Sequence, residues 1–409
     1  MGNPGGTLSL PVTPLGYEDH TWIAESDGMS SRAALAAGSG PYRSAVVPPI
    51  SQLSVHLDGS MSADSEEAVA ALASFDRYAS SRLGSQSTTL GPMSAVLLRT
   101  ESTSSSQIEN LTVGARQLAL AELDQSTSDN ARVVVANVRA MEAALRLADA
   151  LDLNAILTMH AELMAGQRGW EVHAGRLRER LVWVGRSAVS PRGASFIAPQ
   201  PELVPAALAD LTEFMRRDDL PVLVQTAIAH AQFETIHPFV DGNGRTGRAL
   251  VHALLRAKNI LTQTTAPVSA GLLRRTESYF EALTAYRSGD AAPIVAEFAG
   301  AARFAARTGE DLVDSLEDQL DAARRSMSSL RPQAAAWRVL PHLVAHPVIN
   351  AHLVSRLLGT SGTTAQRALA QLTEAGVLSE RSGLKRNRVW QHGGILGILD
   401  TYAAELTRR

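Results

Sequence analysis

The twelve residues from His237 to Arg248 hold a histidine, an aspartate, three glycines and two arginines. His237 titrates near neutral pH and could take the proton of an attacking hydroxyl. Asp241 is the hard oxygen ligand that a Mg²⁺ held between phosphates needs. Gly242 and Gly244 let backbone N–H groups turn toward an anion with no Cβ in the way. Asn243-Gly244-Arg245 opens a helix, whose N-terminus adds donors and a positive dipole end. Arg245 and Arg248, three residues apart, share one face, and two guanidinium forks suit a polyphosphate better than a lone carboxylate. The chemistry described is a polyphosphate held beside one proton acceptor.

Other readings of these residues are weaker. Singly, each arginine is an ordinary ion-pair partner and Gly-Asn-Gly an ordinary turn, but the whole set in one short run is hard to explain as a turn. Glu234-x-x-His237, with His230 just upstream, has the spacing of a helical di-metal ligand pair. That site class needs a second Glu-x-x-His on a facing helix, and this chain has none. His230 reads instead as a packed, hydrogen-bonded helix residue.

Apolar spacing indicates the elements that must position these groups. Residues 62–82 follow a helical pattern, and helices are expected near 93–104, 106–124, 131–150, 153–165, 201–216, 220–236, 243–258, 270–287, 289–308 and 308–328. Pro238 cannot continue the helix that carries His230, so His237 falls at its end, beside a loop and the next helix start. Leu181–Gly185 and Ser195–Pro199 break the rhythm as short apolar runs around a turn, a β-hairpin that must lie against a helical body. The first fifty residues, rich in Gly, Pro and Ser, read as an extended or turn-rich arm. After Pro332 come helices at 334–345 and 350–358, a turn, a helix at 363–375, and strand-like runs Val377–Arg381 and Asn387–Gln391. That is the order of a winged helix-turn-helix.

Composition sets the limits. The chain has 409 residues, 45% apolar and 19% charged, with a net charge of −3, which is ordinary for a globular protein of several domains. Bulk positive charge for nucleic-acid binding is excluded. The absence of cysteine excludes disulfides, thiolate catalysis and cysteine metal sites. No apolar run reaches the ~18 residues of a membrane span, and Met1 to Gly16 lacks the basic start and apolar stretch of a signal peptide. A cytoplasmic location with no membrane partner is expected.

His237-Pro238-Phe239-Val240-Asp241-Gly242-Asn243-Gly244-Arg245-Thr246-Gly247-Arg248 resembles the complete motif of the Fic domain proteins, H-x-F-x-D/E-G-N-G-R-x-x-R. Trp183-Val184-Gly185 through Phe196-Ile197-Ala198-Pro199 resembles that family's hairpin flap, and the resemblance covers residues 95–310. It implies a mainly α fold, a Fic-type helical core with a β-hairpin flap, joined here to a C-terminal winged helix-turn-helix. It also implies transfer of AMP from Mg-ATP to a Ser, Thr or Tyr hydroxyl of a target protein. His237 would be the general base and Asp241 the Mg²⁺ ligand. Gly242, Asn243, Gly244 and Arg245 would hold the α- and β-phosphates, and Arg248 would meet the γ-phosphate. The flap would lay the target segment beside the α-phosphate by strand addition. Dimers are common in the family, which makes a homodimer a further expected partner.

Upstream, Ser105-x-x-x-Glu109-Asn110 reads in two ways. As a helix start, Ser105 is the N-cap and Glu109 an acidic residue favoured by the dipole. By resemblance, it matches the inhibitory motif S/T-x-x-x-E-G/N of Fic proteins, whose glutamate pairs with the second arginine of the motif, here Arg248. The same glutamate could instead orient a water for the reverse reaction, removing AMP from a modified target.

From Arg331 to His392 eight Lys or Arg stand against two Glu, a net +6 within a chain of −3. Thr363, Gln366 and Arg367 begin the expected recognition helix, and Lys385, Arg386 and Arg388 fall at the wing tip, a pattern that could touch DNA. Winged helices also bind proteins. A DNA-binding regulator with a nucleotide-sensing Fic fold is therefore the alternative to an enzyme, and the intact His237 favours the enzyme. The expected domains are an N-terminal arm and helix (1–94), a catalytic core with an inhibitory helix at 105–124 (95–310), a linker helix (311–330) and the winged helix with a C-terminal helix (331–409).

Overall fold

The computed structural model describes residues 9–25, 31–83, 90–185, 187, 189–381 and 388–407. The protein is mainly helical, its strands are short, and it divides into two compact units.

The first unit takes in the residues up to Glu67, Ala143–Lys258 and Glu277–Ala299. At its centre is helix Val222–Ile236, buried at every position from Leu223 onward. A helix buried on all sides is a core element rather than an amphipathic surface helix. Helices Val204–Arg216 and Asn243–Ala257 pack on it, and Leu153–Met164 packs on Asn243–Ala257. Its few polar side chains tie neighbouring segments to it. Gln225 Nε2 donates to the Phe214 and Arg217 carbonyls, both at 2.8 Å. Gln232 donates to Pro48 O at 2.8 Å and accepts from Tyr286 OH at 2.7 Å. His230 Nε2 meets Tyr279 OH at 2.7 Å, and burial pushes the His230 pKa down to about 3. His230 is thus the packed, bonded helix residue that its position suggested.

Where an arm was expected, the described residues from 16 to 46 hold a hairpin. Strands Gly16–Trp22 and Gly40–Val46 pair antiparallel along their whole length, with helix Arg32–Gly38 between them. Gly40-Pro41 hides the second strand from a propensity reading, since both residues are poor strand formers. Cross-strand aromatic contacts supply the missing stabilisation. His20 stacks on its register partner Tyr42 with ring centroids 5.4 Å apart, and Trp22 meets Tyr42 edge-on at 6.1 Å. The second expected hairpin is present as Trp183–Val184 paired with Phe196–Ile197.

The second unit comprises Ala68–Glu142, Asn259–Thr276 and Gly300–Arg409. Helix Leu90–Ile108 packs on Val268–Arg274, and the helix expected at 270–287 is interrupted at Arg275. The two helices expected at 289–308 and 308–328 are one, Ala292–Ser326. Gly309 does not end it, because the Phe75 ring occupies the space of a side chain; a Cβ there would stand 2.6 Å from Phe75 Cε2. No helix starts at Ser105 either. That serine is buried inside Leu90–Ile108, and the next helix is the shorter Ala115–Glu122. Within the serine run, bonds from inside the helix and from a neighbouring one hold Ser102 O and Ser106 Oγ, while Ser102 Oγ is buried with no partner among the described residues. Ser106 Oγ donates to Ser102 O at 2.9 Å, and Asn137 Nδ2 donates to Ser102 O at 2.8 Å and to Ser106 Oγ at 3.1 Å.

Toward the C-terminus, helices Ala335–Val339, His342–Ala345, Ala351–Leu358 and Gly362–Glu374 lie near their expected positions. Strand Trp390–Gln391 is central in a three-stranded antiparallel sheet, between Ser379–Glu380 and Val348–Ile349. The last of these was not expected; two residues carry too little pattern to read. Helix Gly393–Thr407 packs on Ala115–Glu122 and Leu90–Ile108. Among the described residues, no helix is long and apolar enough to cross a membrane.

Candidate active site

Helix Val222–Ile236 stops at His237, which takes left-handed backbone angles, φ 51° and ψ 60°, while its N–H bonds Phe233 O at 2.9 Å. Glycine is the usual residue at such a helix end, because a Cβ costs free energy there. A histidine held in this conformation is a mark of function over ease of folding. Its Nδ1 lies 3.3 Å from Glu234 O. A carbonyl only accepts, so this contact puts the ring proton on Nδ1 and the lone pair on Nε2.

The loop that follows is closed by one side chain. Asn243 Oδ1 accepts from Phe239 N and Asn243 Nδ2 donates to Phe239 O, both at 2.9 Å. Gly242 caps the next helix at φ 79°, and a Cβ there would stand 2.9 Å from Leu163 Cδ2, so the site accepts glycine alone. The first-turn N–H groups of Asn243–Ala257 thereby face out of the helix at the loop. Arg245 and Arg248 are 3% and 2% exposed. Arg245 donates to Asp241 Oδ2 at 3.1 Å, and Gln167 Nε2 donates to the same oxygen at 3.2 Å. The Asp241 side chain is still 42% exposed, which leaves the carboxylate open on its solvent side. Gly247 lets this helix approach the central one: a Cβ would lie 2.9 Å from Glu234 Oε1 and 3.0 Å from Phe233 Cδ1.

Two residues outside the motif hold the loop, and sequence reasoning missed both. His160, on Leu153–Met164, stacks flat on Phe239 with centroids 3.6 Å apart. Its Nδ1 accepts from Gly175 N–H at 3.1 Å, so Nε2 carries the proton and donates to Asp241 O at 3.1 Å. Burial lowers its pKa to about 4, which keeps that arrangement neutral. Arg178 is buried and donates to backbone carbonyls: His237 O at 2.8 Å, Pro199 O at 2.7 Å and Arg180 O at 3.1 Å. Its own N–H donates to Pro238 O at 3.0 Å. One guanidinium thus joins both flanks of the Trp183 hairpin to the histidine. Burial lowers its pKa to about 10, still charged at neutral pH. A lone helical histidine and one arginine among many carry no local signal. Within the hairpin, Trp183 Nε1 donates to Ser187 O at 2.8 Å, and Gly185 passes so close to Ala194 that a Cβ would stand 3.0 Å from its Cα.

Ser105, Glu109 and Asn110 belong to the second unit. There, helix Leu90–Ile108 ends in a Schellman turn. Leu111 N–H bonds Ser106 O at 3.0 Å and Asn110 N–H bonds Gln107 O at 2.9 Å, with Asn110 left-handed at φ 61°. Glu109 is therefore an exposed residue at a helix C-terminus, where the dipole disfavours a carboxylate. The helix-start reading of Ser105 and Glu109 is overturned. In the same unit Thr363, Gln366 and Arg367 are exposed on helix Gly362–Glu374, whose N-cap Ser361 accepts from Thr364 N. Arg388 Nε donates to Glu380 Oε1 at 2.7 Å, and its guanidinium lies 4.9 Å from the Trp390 ring centroid. Lys385 and Arg386 lie outside the described residues.

Residues 150–255 match the model of the Fic/DOC family, and residues 63–146 match that of the Fic/DOC family N-terminal region. The protein adenylyltransferase fic-1 of Caenorhabditis elegans is 30% identical over 150 residues, 36% of this chain and 26% of that protein. A probable protein adenylyltransferase of Aquifex aeolicus is 36% identical over 92 residues, 22% of this chain and 26% of that protein. The chain thus spans about a quarter of the length of these relatives. A solved Fic family protein from Desulfovibrio desulfuricans is 24% identical, with a TM-score of 0.48 over 80% of this chain and 96% of that one.

Proposed function

This chain belongs to the Fic/DOC family, and on that premise we propose that it transfers AMP from Mg-ATP to a Ser, Thr or Tyr hydroxyl of a target protein. One observation carries the proposal: His237 is held left-handed at the mouth of a loop that ends in a helix N-terminus bearing two buried arginines. The names of relatives that match 150 and 92 residues of this chain support the reaction type. The backbone N–H groups of Gly242, Asn243, Gly244 and Arg245 face the α- and β-phosphates, and Arg248 faces the γ-phosphate. The Asn243 side chain, committed to Phe239, shapes the loop and leaves anion contact to its backbone.

Mg²⁺ is commonly held by one or two carboxylates plus substrate phosphates, so the open carboxylate of Asp241 fits it, and when bound it neutralises phosphate charge. His237 Nε2 takes the hydroxyl proton as that oxygen attacks the α-phosphorus, and the bond to pyrophosphate breaks. Positioning and charge neutralisation supply most of the catalysis, and the base about 10²–10⁴-fold.

Glu109 is the brake in this reading, a carboxylate that competes with the γ-phosphate for the charge of Arg248. Its place at a dipole-disfavoured helix end supports a role other than holding that helix. Incubation of the full chain and a cell extract with α-labelled ATP tests both parts. Label on protein should rise with Glu109→Gly and vanish with His237→Ala. No labelling by the Glu109→Gly chain refutes the transfer, and labelling equal to that of the unaltered chain refutes the brake.

The same reading keeps the 95–310 segment as the catalytic core, preceded by 1–94 and followed by a linker at 311–330. It takes residues 331–409 as a winged helix that meets DNA, supported by the exposed Thr363, Gln366 and Arg367 along one helix face. Binding to random duplex should then fall steeply with salt, and a flat salt series refutes phosphate contact.

A further inference from the structure

Among the described residues five large apolar side chains are exposed, and the most exposed of them, Ile23 at 77%, lines a groove of the first unit. The groove encloses about 1100 Å³ and is walled by Trp22 and Ile23 of the N-terminal hairpin, by Trp170, and by Trp183 of the second hairpin. It reaches Val240, the residue before Asp241, so it runs directly into the loop beside His237. An exposed apolar side chain at a concave site walled by three tryptophans marks a place of interaction.

The two hairpins are fastened to each other. Trp22 Nε1 donates to Val189 O at 2.9 Å, and the Trp22 ring meets Trp183 edge-on at 5.4 Å. Ser190 Oγ donates to Gly38 O at 2.6 Å, and Arg192 donates to Ala37 O at 2.7 Å and Ser39 O at 2.6 Å. The N-terminal hairpin lies outside both stretches that match the family models, so this wall is a feature of this chain's own residues. The indole N–H groups of Trp22 and Trp183 are both taken by loop carbonyls. Their rings therefore offer apolar faces rather than donors, and what suits them is another aromatic or aliphatic group. Glu25 and Arg180, of opposite charge, both line the groove, which therefore favours neither a strongly anionic nor a strongly cationic occupant.

Resting on the transfer reading, we propose that Trp22 is a specificity-determining residue of the acceptor site. With Trp170 and Trp183 it receives an aromatic or large aliphatic side chain that neighbours the acceptor hydroxyl in an extended segment of the target protein. Continuity argues for this occupant. A segment seated here passes Val240 on its way to His237, and among the described residues strand Trp183–Val184 is paired on one side only, with Phe196–Ile197.

The test is retention of the fluorescently labelled full chain, without nucleotide, on an array of nine-residue peptides with a central Ser, Thr or Tyr. Phe, Tyr, Trp, Leu or Ile beside the hydroxyl should bind about tenfold better than Gly or Asp, the size of an aromatic contact plus its buried area. Trp22→Ala should flatten that preference and Trp22→Phe should keep most of it. Ile23→Asp changes a residue that is 77% exposed, so it cannot disturb the core, and should flatten the preference as well. The proposal is overturned if no peptide is retained, if the preference is absent, or if it survives both Trp22→Ala and Ile23→Asp. Displacement of the peptides by adenosine also overturns it, since the groove would then be a base site. Because binding is read without transfer, a preference that persists in a chain unable to label any protein refutes the transfer reading and leaves the groove assignment standing.

Discussion

Replacing His237 by glycine and by alanine separates its backbone role from its chemistry. Both variants lack the ring, its 3.3 Å contact to Glu234 O and every other contact it makes, so those losses cancel between them. What differs is tolerance of φ 51°, ψ 60°. A left-handed backbone costs an L-residue about 1–2 kcal/mol, and the greater freedom of glycine in the unfolded chain offsets about 0.5–1 kcal/mol of that. His237→Gly should therefore be more stable than His237→Ala by roughly 0.5–1 kcal/mol, measured as the difference in urea unfolding free energy. At an ordinary helical position the sign is reversed, with alanine ahead by about 0.5–1 kcal/mol. Transfer of label from ATP should fall in both by the same factor, about 10²–10⁴. Equal or greater stability of the alanine variant refutes the left-handed geometry that presents the ring to the loop. Residual transfer near the unaltered rate in either variant refutes His237 as the base.

Gly247→Ala gains about 1 kcal/mol of helix propensity but forces a Cβ against Glu234 and Phe233, an overpacking cost of about 1–3 kcal/mol, so a net loss of stability in thermal melting and weaker labelling are expected. A more stable variant refutes the close helix approach. Arg178→Lys keeps the charge but cannot span three carbonyls set in different directions; loss of about 2 kcal/mol or more is expected in urea unfolding, and a neutral result removes Arg178 as the tie. His160, His230 and His346 have pKa values lowered by burial to about 4, 3 and 3. The unfolded chain binds these protons near pH 6.5 and the folded chain does not. Stability is therefore whole above about 6.5 and falls toward pH 4 by up to about 1.4 kcal/mol per pH unit for each histidine. A urea midpoint that stays level between pH 7 and 5 contradicts their burial as neutral rings.

The loop from His237 to Arg248 was legible because its signals are local. Pro238 stops a helix, Gly242 supplies a positive φ, and Asn243 bonds back to Phe239 four residues away. The central helix was legible because its residues follow a helical pattern that Pro238 stops. The supports of that loop were not. His160 meets Asp241 and Arg178 meets His237 across 81 and 59 residues of chain, and no spacing rule spans such distances.

The amino-acid order by itself determined which residues gather at the loop from His237 to Arg248, its place between two helices, and the presence of a hairpin before it. Tertiary structure alone decided that Ser105 lies within a helix and that Glu109 ends it, since Asn137 comes from another helix to bond Ser102 O and Ser106 Oγ. It also decided that the Gly- and Pro-rich N-terminus becomes a hairpin, through ring contacts and through bonds to the second hairpin. Local preferences amount to tenths of a kcal/mol per residue, and long-range partners of a kcal/mol each override them.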